Sequence, residues 1–215
     1  MELSRNIQKN RILEELLFIC IASLITYISL EKIVGKAFEA HGIAVFISFM
    51  LLPVIVLRIL KKPLELGTVN IGFLLGIALY LILTIWLLCY YPLNREFFNG
   101  LKLNSYEFLI WNFFAMLNVA PVDFFTKRII QRELSASLTP WHGLGAQTIV
   151  WTVAHFYELL WLQQLMGSQG ALLFIIVSGL ATGLVYLKTK NVLGMIVGHW
   201  MLNFIISFLV SFNLL

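Results

Sequence analysis

Apolar runs of about twenty residues recur along this chain, and they constrain its fold more than any other feature. A run of that length is what an α-helix needs to cross the hydrocarbon core of a bilayer. Hydrophobic residues make up 60% of the 215 residues and charged residues only 12%, whereas soluble domains carry about 25% charged residues. An isolated strand would leave its backbone polar groups unpaired in lipid. The sequence therefore predicts an all-α, polytopic transmembrane helical bundle.

We predict about seven spans, with six to eight compatible with the pattern, in a single integral membrane domain that covers residues 1–215. The second span is short and contains Pro53, which predicts a tilt, a kink or a partly re-entrant segment. The predicted spans are 13–34, 43–60, 70–91, 106–126, 145–164, 170–187 and 191–213.

The basic residues predict the orientation of the bundle. With the N-terminus in the cytoplasm, eleven Lys and Arg residues lie on the inner side and four on the outer side, and the positive-inside rule favours this topology. The net charge of +4 then reflects topology and attraction to anionic lipid, and we expect no nucleic-acid partner. A short chain without a targeting extension favours the cytoplasmic (inner) membrane of a prokaryote. The inner residues are Arg5, Lys9, Arg11, Arg58, Lys61, Lys62, Lys127, Arg128, Arg132, Lys188 and Lys190, and the outer ones are Lys32, Lys36, Arg95 and Lys102.

The polar residues at predicted membrane depth are concentrated in the second half of the chain. Residues 1–105 carry hardly a polar group at the centres of their spans, which is typical of scaffold or access helices. Ionisable groups inside a membrane are costly and usually face a bundle interior or a watery cavity. Residues 106–215 are therefore the predicted catalytic-type core, with Asp123, His155, Glu158, His199 and Asn203 in or near its spans.

Asp123 follows Pro121 in the stretch "APVDFFTKR" and is predicted to lie near the inner end of the fourth span. It forms an i, i+4 pair with Lys127, so one interpretation is a modest interfacial ion pair with Lys127, Arg128 and Arg132 as cytoplasmic anchors. His155 lies near the middle of the predicted fifth span, where a core histidine bonded to a backbone carbonyl is the structural alternative. Glu158, three residues later, is a partner for His155, a second acid or an exposed charge.

His199 and Asn203 project from one face of the last span because they are four residues apart. They can join helices by hydrogen bonds, or they can supply two N–H donors to a developing oxyanion. A carboxylate bonded to a histidine can hold and deprotonate a water. Together with Asp123 and His155, the pair supplies the groups needed to hydrolyse an amide: a base for the water and donors for the oxyanion.

Three blocks in this order resemble those of a known family. The CAAX-protease and bacteriocin-processing family of glutamic intramembrane proteases carries Glu-Glu-x-x-x-Arg, then Phe-x-x-x-His, then His-x-x-x-Asn or Asp. Here "DFFTKR" (123–128) is similar to the first block, with Asp in place of the first Glu. "WTVAH" (151–155) is similar to the second, with Trp151 for Phe, and "HWMLN" (199–203) matches the third. The resemblance covers about residues 106–210.

The resemblance implies a role for each matching residue. Asp123 would be the general base that activates water together with His155, and His199 and Asn203 would form the oxyanion hole. Arg128 would support the first block, with Glu158, Lys127 and Trp151 as further supporting candidates.

The first block departs from the family pattern. Phe124 stands where the family has its second glutamate, and a second register would place Val122 and Asp123 on the two glutamates and Lys127 on the arginine. Aspartate is also one methylene shorter than glutamate. A displacement of about 1 Å at a reacting group can cost on the order of a hundredfold in rate.

We therefore expect an intramembrane endopeptidase that acts near the cytoplasmic side on a membrane protein or on a hydrophobic or lipidated peptide. The alternative is a catalytically inactive relative that serves as a membrane scaffold or a bacteriocin-immunity-type binding protein. We expect no cofactor. A zinc ion held by Asp123, His155 and His199 is the alternative, although no His-Glu-x-x-His spacing is present.

Overall fold

The structure, a computed structural model, describes residues 2–34, 38–100 and 102–214. Every regular element within these residues is helical, so the predicted all-α fold is confirmed. Two π-helical segments, Ile47–Leu51 and Phe124–Gln131, join α2 to α3 and α6 to α7, and a 3₁₀ turn, Tyr91–Leu93, precedes α5. The α-helices are α1 (Glu2–Val34), α2 (Phe38–Phe46), α3 (Leu52–Ile59), α4 (Ile71–Leu88), α5 (Arg95–Asn99), α6 (Ser105–Asp123), α7 (Arg132–Ser137), α8 (Pro140–Ala154), α9 (Phe156–Thr189) and α10 (Val192–Ser211).

Six helical segments in the described part of the chain are long and apolar enough to cross a membrane. Six lies at the lower end of the predicted range, and the missing seventh span is the predicted fifth. The irregularity predicted for the second span is the π-helical segment Ile47–Leu51, which directly precedes α3 and Pro53. The six segments are Ile7–Ile33, His41–Ile59, Ile71–Leu93, Ser105–Ser137, Glu158–Thr189 and Val192–Ser211.

The predicted fifth span, 145–164, is not a continuous helix. α8 ends at Ala154, and His155 leaves helical geometry with φ −98° and ψ 24° before α9 begins. α9 kinks in turn at Gly167, whose φ of 73° lies in the region that favours glycine because no Cβ is present to clash. His155 therefore lies at a junction between two helices and not in the middle of one span.

The predicted fourth span, 106–126, is too short. α6 starts at a capping box, in which the Asn104 side chain accepts from the Tyr106 and Glu107 N–H groups and Glu107 accepts from the Asn104 N–H. The helix then continues as the π-helical segment and α7 as far as Ser137. Asp123 thus lies 14 residues before the end of this continuous helical element, and its depth in the membrane stays a prediction.

Lys127 and Arg128 are buried, so the interpretation of these two residues as interfacial anchors was also wrong. Their charges are matched by acids and carbonyl groups inside the protein, which is why the helix can continue with both side chains inside. Without these two residues, nine basic residues remain on the predicted inner side of the membrane, compared with four on the predicted outer side. The charge bias that favours a cytoplasmic N-terminus therefore keeps its direction.

Two apolar clusters lie in the interior of the described part of the chain, and the polar residues around Asp123 adjoin both. Tyr80 of α4 and Trp151 of α8 belong to the first cluster. Ala120 and Phe124, on either side of Asp123, belong to the second. α4 and α10 approach closely through glycines: a Cβ on Gly194 would lie 2.6 Å from the Phe73 carbonyl oxygen. Small residues at such a contact are what close helix packing in membranes requires.

Candidate functional site

Asp123 is the centre of a buried polar cluster. Pro121 precedes it by two residues and has no N–H for an i to i−4 bond, and the wider π-helical segment begins directly after Asp123. The Asp123 side chain is fully buried. A carboxylate in such a place needs partners, because a buried unpaired charge is strongly unfavourable.

Three side chains from three parts of the chain provide those partners. Lys127 Nζ lies 2.7 Å from Asp123 Oδ1 and is itself fully buried. His199 Nδ1 lies 2.9 Å from Asp123 Oδ2. The Tyr80 hydroxyl donates to the carboxylate at 3.2 Å from Oδ1 and 3.3 Å from Oδ2. Both oxygens of Asp123 are therefore occupied by protein groups.

His199 is positioned by α10, whose N-cap residue is Asn191. The Asn191 side chain caps the helix by accepting from the Gly194 N–H at 2.9 Å. The imidazole of His199 stacks on the Tyr80 ring, with centroids 4.9 Å apart and planes 8° from parallel. Asn203, on the next turn, is half-buried, and its Nδ2 makes only a long contact of 3.4 Å with the His199 carbonyl. Its amide is therefore only weakly engaged within the helix.

His155 joins the same group of rings from the α8–α9 junction. Its Nδ1 lies 2.8 Å from the Trp151 carbonyl oxygen. Its ring centroid lies 4.1 Å from that of Trp151 and 5.6 Å from that of His199. Trp151 is held by its Nε1–H, which donates to Ser178 Oγ at 3.2 Å. The break at the end of α8 thus directs the His155 ring towards α10.

The partners of the two histidines indicate their tautomers. A carbonyl oxygen and a carboxylate can only accept a hydrogen bond, so each Nδ1 must carry a proton to make the observed contact. Nε2 is then the remaining nitrogen of each ring, with a lone pair when the ring is neutral and a proton when it is charged. His155 and His199 can therefore accept or donate a proton at Nε2 while their rings stay fixed.

Lys127 connects the acid to the aromatic wall of the cluster. Besides its contact with Asp123, its Nζ lies 4.1 Å from the Trp151 ring centroid, which is a cation–π distance. Trp151 is therefore in contact with both Lys127 and His155.

Arg128 has a different role in the architecture. Its guanidinium donates to the Leu64 carbonyl at 2.8 Å, to the Pro63 carbonyl at 2.6 Å and to Glu133 Oε1 at 2.8 Å. Glu133 also accepts from Lys62. Arg128 therefore fixes the segment after α3, and none of these contacts involves Asp123. Glu158, the further candidate, is exposed.

Tyr80 is the residue that the sequence analysis missed. It lies in α4, within the half that was predicted to be scaffold. The signal that could have found it is the i, i+4, i+8 series Gly72, Gly76 and Tyr80, in which two small residues mark the face of α4 that packs on another helix. A tyrosine continuing that face has its hydroxyl inside the bundle.

Among the residues that the structure describes, no group of three or more His, Cys, Asp and Glu side chains is arranged to hold a metal ion. Asp123 and His199, two of the three candidate zinc ligands, contact each other directly. The carboxylate of Asp123 also has Lys127 and Tyr80 as neighbours, and an ammonium group beside it would repel a cation.

A bundle of membrane-length helices around the polar cluster of Asp123, Lys127, Tyr80 and His199 defines a polytopic helical membrane protein. Residues 105–205 match the family model described as type II CAAX prenyl endopeptidase Rce1-like. This match covers 101 of the 215 residues, and it confirms the resemblance predicted from the three blocks. The protein is accordingly an integral membrane protein that is related to CAAX-type proteases. The curated proteins and the solved structures yielded no match.

Proposed function

We propose that the protein is an intramembrane endopeptidase of a prokaryotic cytoplasmic membrane. It hydrolyses a peptide bond near the cytoplasmic side, and its substrate is a membrane protein or a hydrophobic or lipidated peptide. The family name points to prenylated C-terminal peptides as the first substrates to test. The observation that carries the proposal is the convergence of two imidazoles, with ring centroids 5.6 Å apart, beside a buried carboxylate.

In the proposed reaction, His155 is the general base. Its Nδ1–H is bonded to the Trp151 carbonyl, so Nε2 accepts a proton from water as the water oxygen attacks the scissile carbonyl carbon. The tetrahedral intermediate then collapses. The C–N bond breaks, and the proton on His155 passes to the departing nitrogen, giving an amine and a carboxylic acid that then ionises by losing its proton to the amine or to solvent. His155 alone carries the proton from the attacking water to the departing nitrogen.

His199 supplies the electrophilic side of the reaction. Its Nδ1–H is bonded to the Asp123 carboxylate, and in the imidazolium form its Nε2–H donates to the developing oxyanion. Asn203, one turn further along α10, is the second proposed donor. Asp123 was predicted to share the water with His155, but both of its oxygens have protein partners. We therefore assign it to holding and orienting His199, as the acid of a catalytic triad holds its histidine.

The test uses the purified protein in liposomes with a fluorogenic prenylated C-terminal peptide. His155→Ala should lower the rate by about 10²- to 10⁴-fold, the usual contribution of a general base. His199→Ala should lower it by about 10²- to 10³-fold, as loss of an oxyanion donor does. His142→Ala is the matched control, because His142 is exposed and lies at the other end of α8. Parental rates in both site variants would refute the proposal.

A catalytically inactive scaffold is the second candidate. The observations that favour it are the Asp123–Lys127 ion pair and the packing of Phe124 into the apolar core at the second acid position. A scaffold should tolerate His155→Ala and Asn203→Ala without loss of phenotype at equal protein level. Comparing membrane-protein fragments in cells with and without the gene separates the two, because an enzyme leaves a cut substrate.

A further inference from the structure

Tyr80 is buried, lies outside the segment that matches the family model, and contacts two residues of the candidate site at once. Its hydroxyl donates to both oxygens of Asp123, at 3.2 and 3.3 Å. Its ring stacks on His199 with planes 8° from parallel. We infer that Tyr80 is a positioning residue that holds the Asp123–His199 pair in its reactive geometry. This inference rests on the proposed function.

The local packing leaves the Tyr80 ring little freedom. A Cβ on Gly198 would lie 2.8 Å from Tyr80 Cδ2 and 2.9 Å from the Gly76 carbonyl oxygen, so the absence of that atom lets α10 rest directly on the ring. Lys127 Nζ lies 2.7 Å from Asp123 Oδ1 as an ion-pair partner. The carboxylate is thus held by a phenol hydroxyl and an ammonium group while its Oδ2 contacts His199.

The arrangement has a chemical consequence for His199. An imidazole whose Nδ1–H points at a fixed carboxylate has a fixed tautomer and a fixed direction for Nε2. Without the Tyr80 hydroxyl, the carboxylate keeps Lys127 and can rotate towards it, which would weaken the contact with His199. Tyr80 therefore acts through Asp123 and His199, and it does not touch the scissile bond in this mechanism.

The first experiment compares Tyr80→Phe with the parent in the peptide assay. Phenylalanine keeps the ring on His199 and removes only the hydroxyl. We expect kcat to fall by about tenfold or more, because small misplacements of catalytic groups have effects of that order. KM should change little, and the pH profile of kcat should shift. Tyr186→Phe is the matched control, since Tyr186 is equally buried but belongs to the other apolar cluster. Equal losses in both variants, or no loss in Tyr80→Phe, would overturn the inference.

The second experiment reads His199 without any substrate. The chain has four histidines, so ¹⁵N-histidine labelling in micelles gives few signals, and their shifts distinguish the two neutral tautomers and the charged ring. Tyr80→Phe should alter the His199 signals and their pH dependence and leave those of His142 unchanged. An unaltered His199 pattern overturns the inference. If the parent protein cleaves nothing, the proposed function fails, but this measurement still decides the role of Tyr80.

A variant that does not fold would leave the first experiment without a result, so a milder change serves as the backup. Fluorotyrosine at position 80 keeps the ring and the hydroxyl and makes the hydroxyl more acidic. A shift in the His199 signals, with the folded yield of the parent, supports the inference. Signals identical to those of the parent overturn it.

Discussion

Removing either member of the Asp123–Lys127 pair should destabilise the protein far more than removing both. The two charges are 2.7 Å apart, and neither side chain is accessible to solvent. At an effective dielectric constant of about 20, two unit charges at this distance attract by about 6 kcal/mol, most of which is offset by the cost of burying them. What remains after a single substitution is an uncompensated charge inside the bundle.

The expected values follow from that balance. Asp123→Asn leaves the Lys127 ammonium without its counterion and leaves one accepting oxygen for Tyr80 and His199. Lys127→Met leaves the carboxylate without its ammonium partner. Each should lower the free energy of unfolding by about 3–5 kcal/mol. The double variant should recover most of that loss, because replacing both charges of a buried pair is often neutral or stabilising. The expected coupling energy is therefore about 3 kcal/mol or more.

The assay is reversible unfolding in mixed dodecyl maltoside and SDS micelles, followed by tryptophan fluorescence. The chain offers a matched control in Arg11 and Glu15, which have the same i, i+4 spacing at 3.0 Å, but with the Arg11 side chain 76% exposed. The coupling energy between Arg11 and Glu15 should be about 0.3–0.5 kcal/mol. If the buried pair coupled no more strongly than the exposed one, the reasoning about burial would be wrong. The double variant should also remain inactive, since it lacks the acid that holds His199.

Two further predictions concern the rest of the site. Arg128→Lys should lower the free energy of unfolding by about 1–3 kcal/mol, because lysine cannot reproduce the guanidinium contacts with Pro63, Leu64 and Glu133. Limited proteolysis should then cut faster in the 60–70 segment, and an unchanged rate would contradict the assignment. Incubation with 1,10-phenanthroline should leave peptide cleavage unchanged, because the oxygens of Asp123 already have protein partners. A loss restored by added zinc would favour the metal alternative.

The fold could be predicted from the sequence because the length of the apolar runs and the geometry of the α-helix determine it. The boundaries were less readable where polar residues lie inside the bundle. Lys127 and Arg128 indicated the end of a span, since two adjacent basic residues usually mark an interface. In the structure each has a counterion, Asp123 and Glu133 respectively, and the helix continues past them. Whether a basic residue ends a span or lies inside the bundle depends on its charge partner. That partner cannot be identified from the local sequence.

The candidate site residues could be predicted only in part, from their spacing along the helices. His199 and Asn203 share a face by their spacing, and any fold that buries this face places them in the interior. His155 reaches the cluster only because the chain breaks between α8 and α9, and no proline or glycine in "WTVAHFYELL" indicates that break. Tyr80 comes from a run that otherwise reads as uniformly apolar. Long-range packing determines both positions.

The environment of Asp123 shows why spacing alone could not assign its role. Asp123 and Lys127 have the same separation in sequence as Arg11 and Glu15, but one pair is sealed inside the bundle and the other lies at its surface. The difference is made by Tyr80 and His199, which are 43 and 76 residues away along the chain. A carboxylate with these neighbours need not reach a water molecule. The shorter aspartate therefore suits a residue that holds an imidazole better than one that activates the nucleophile.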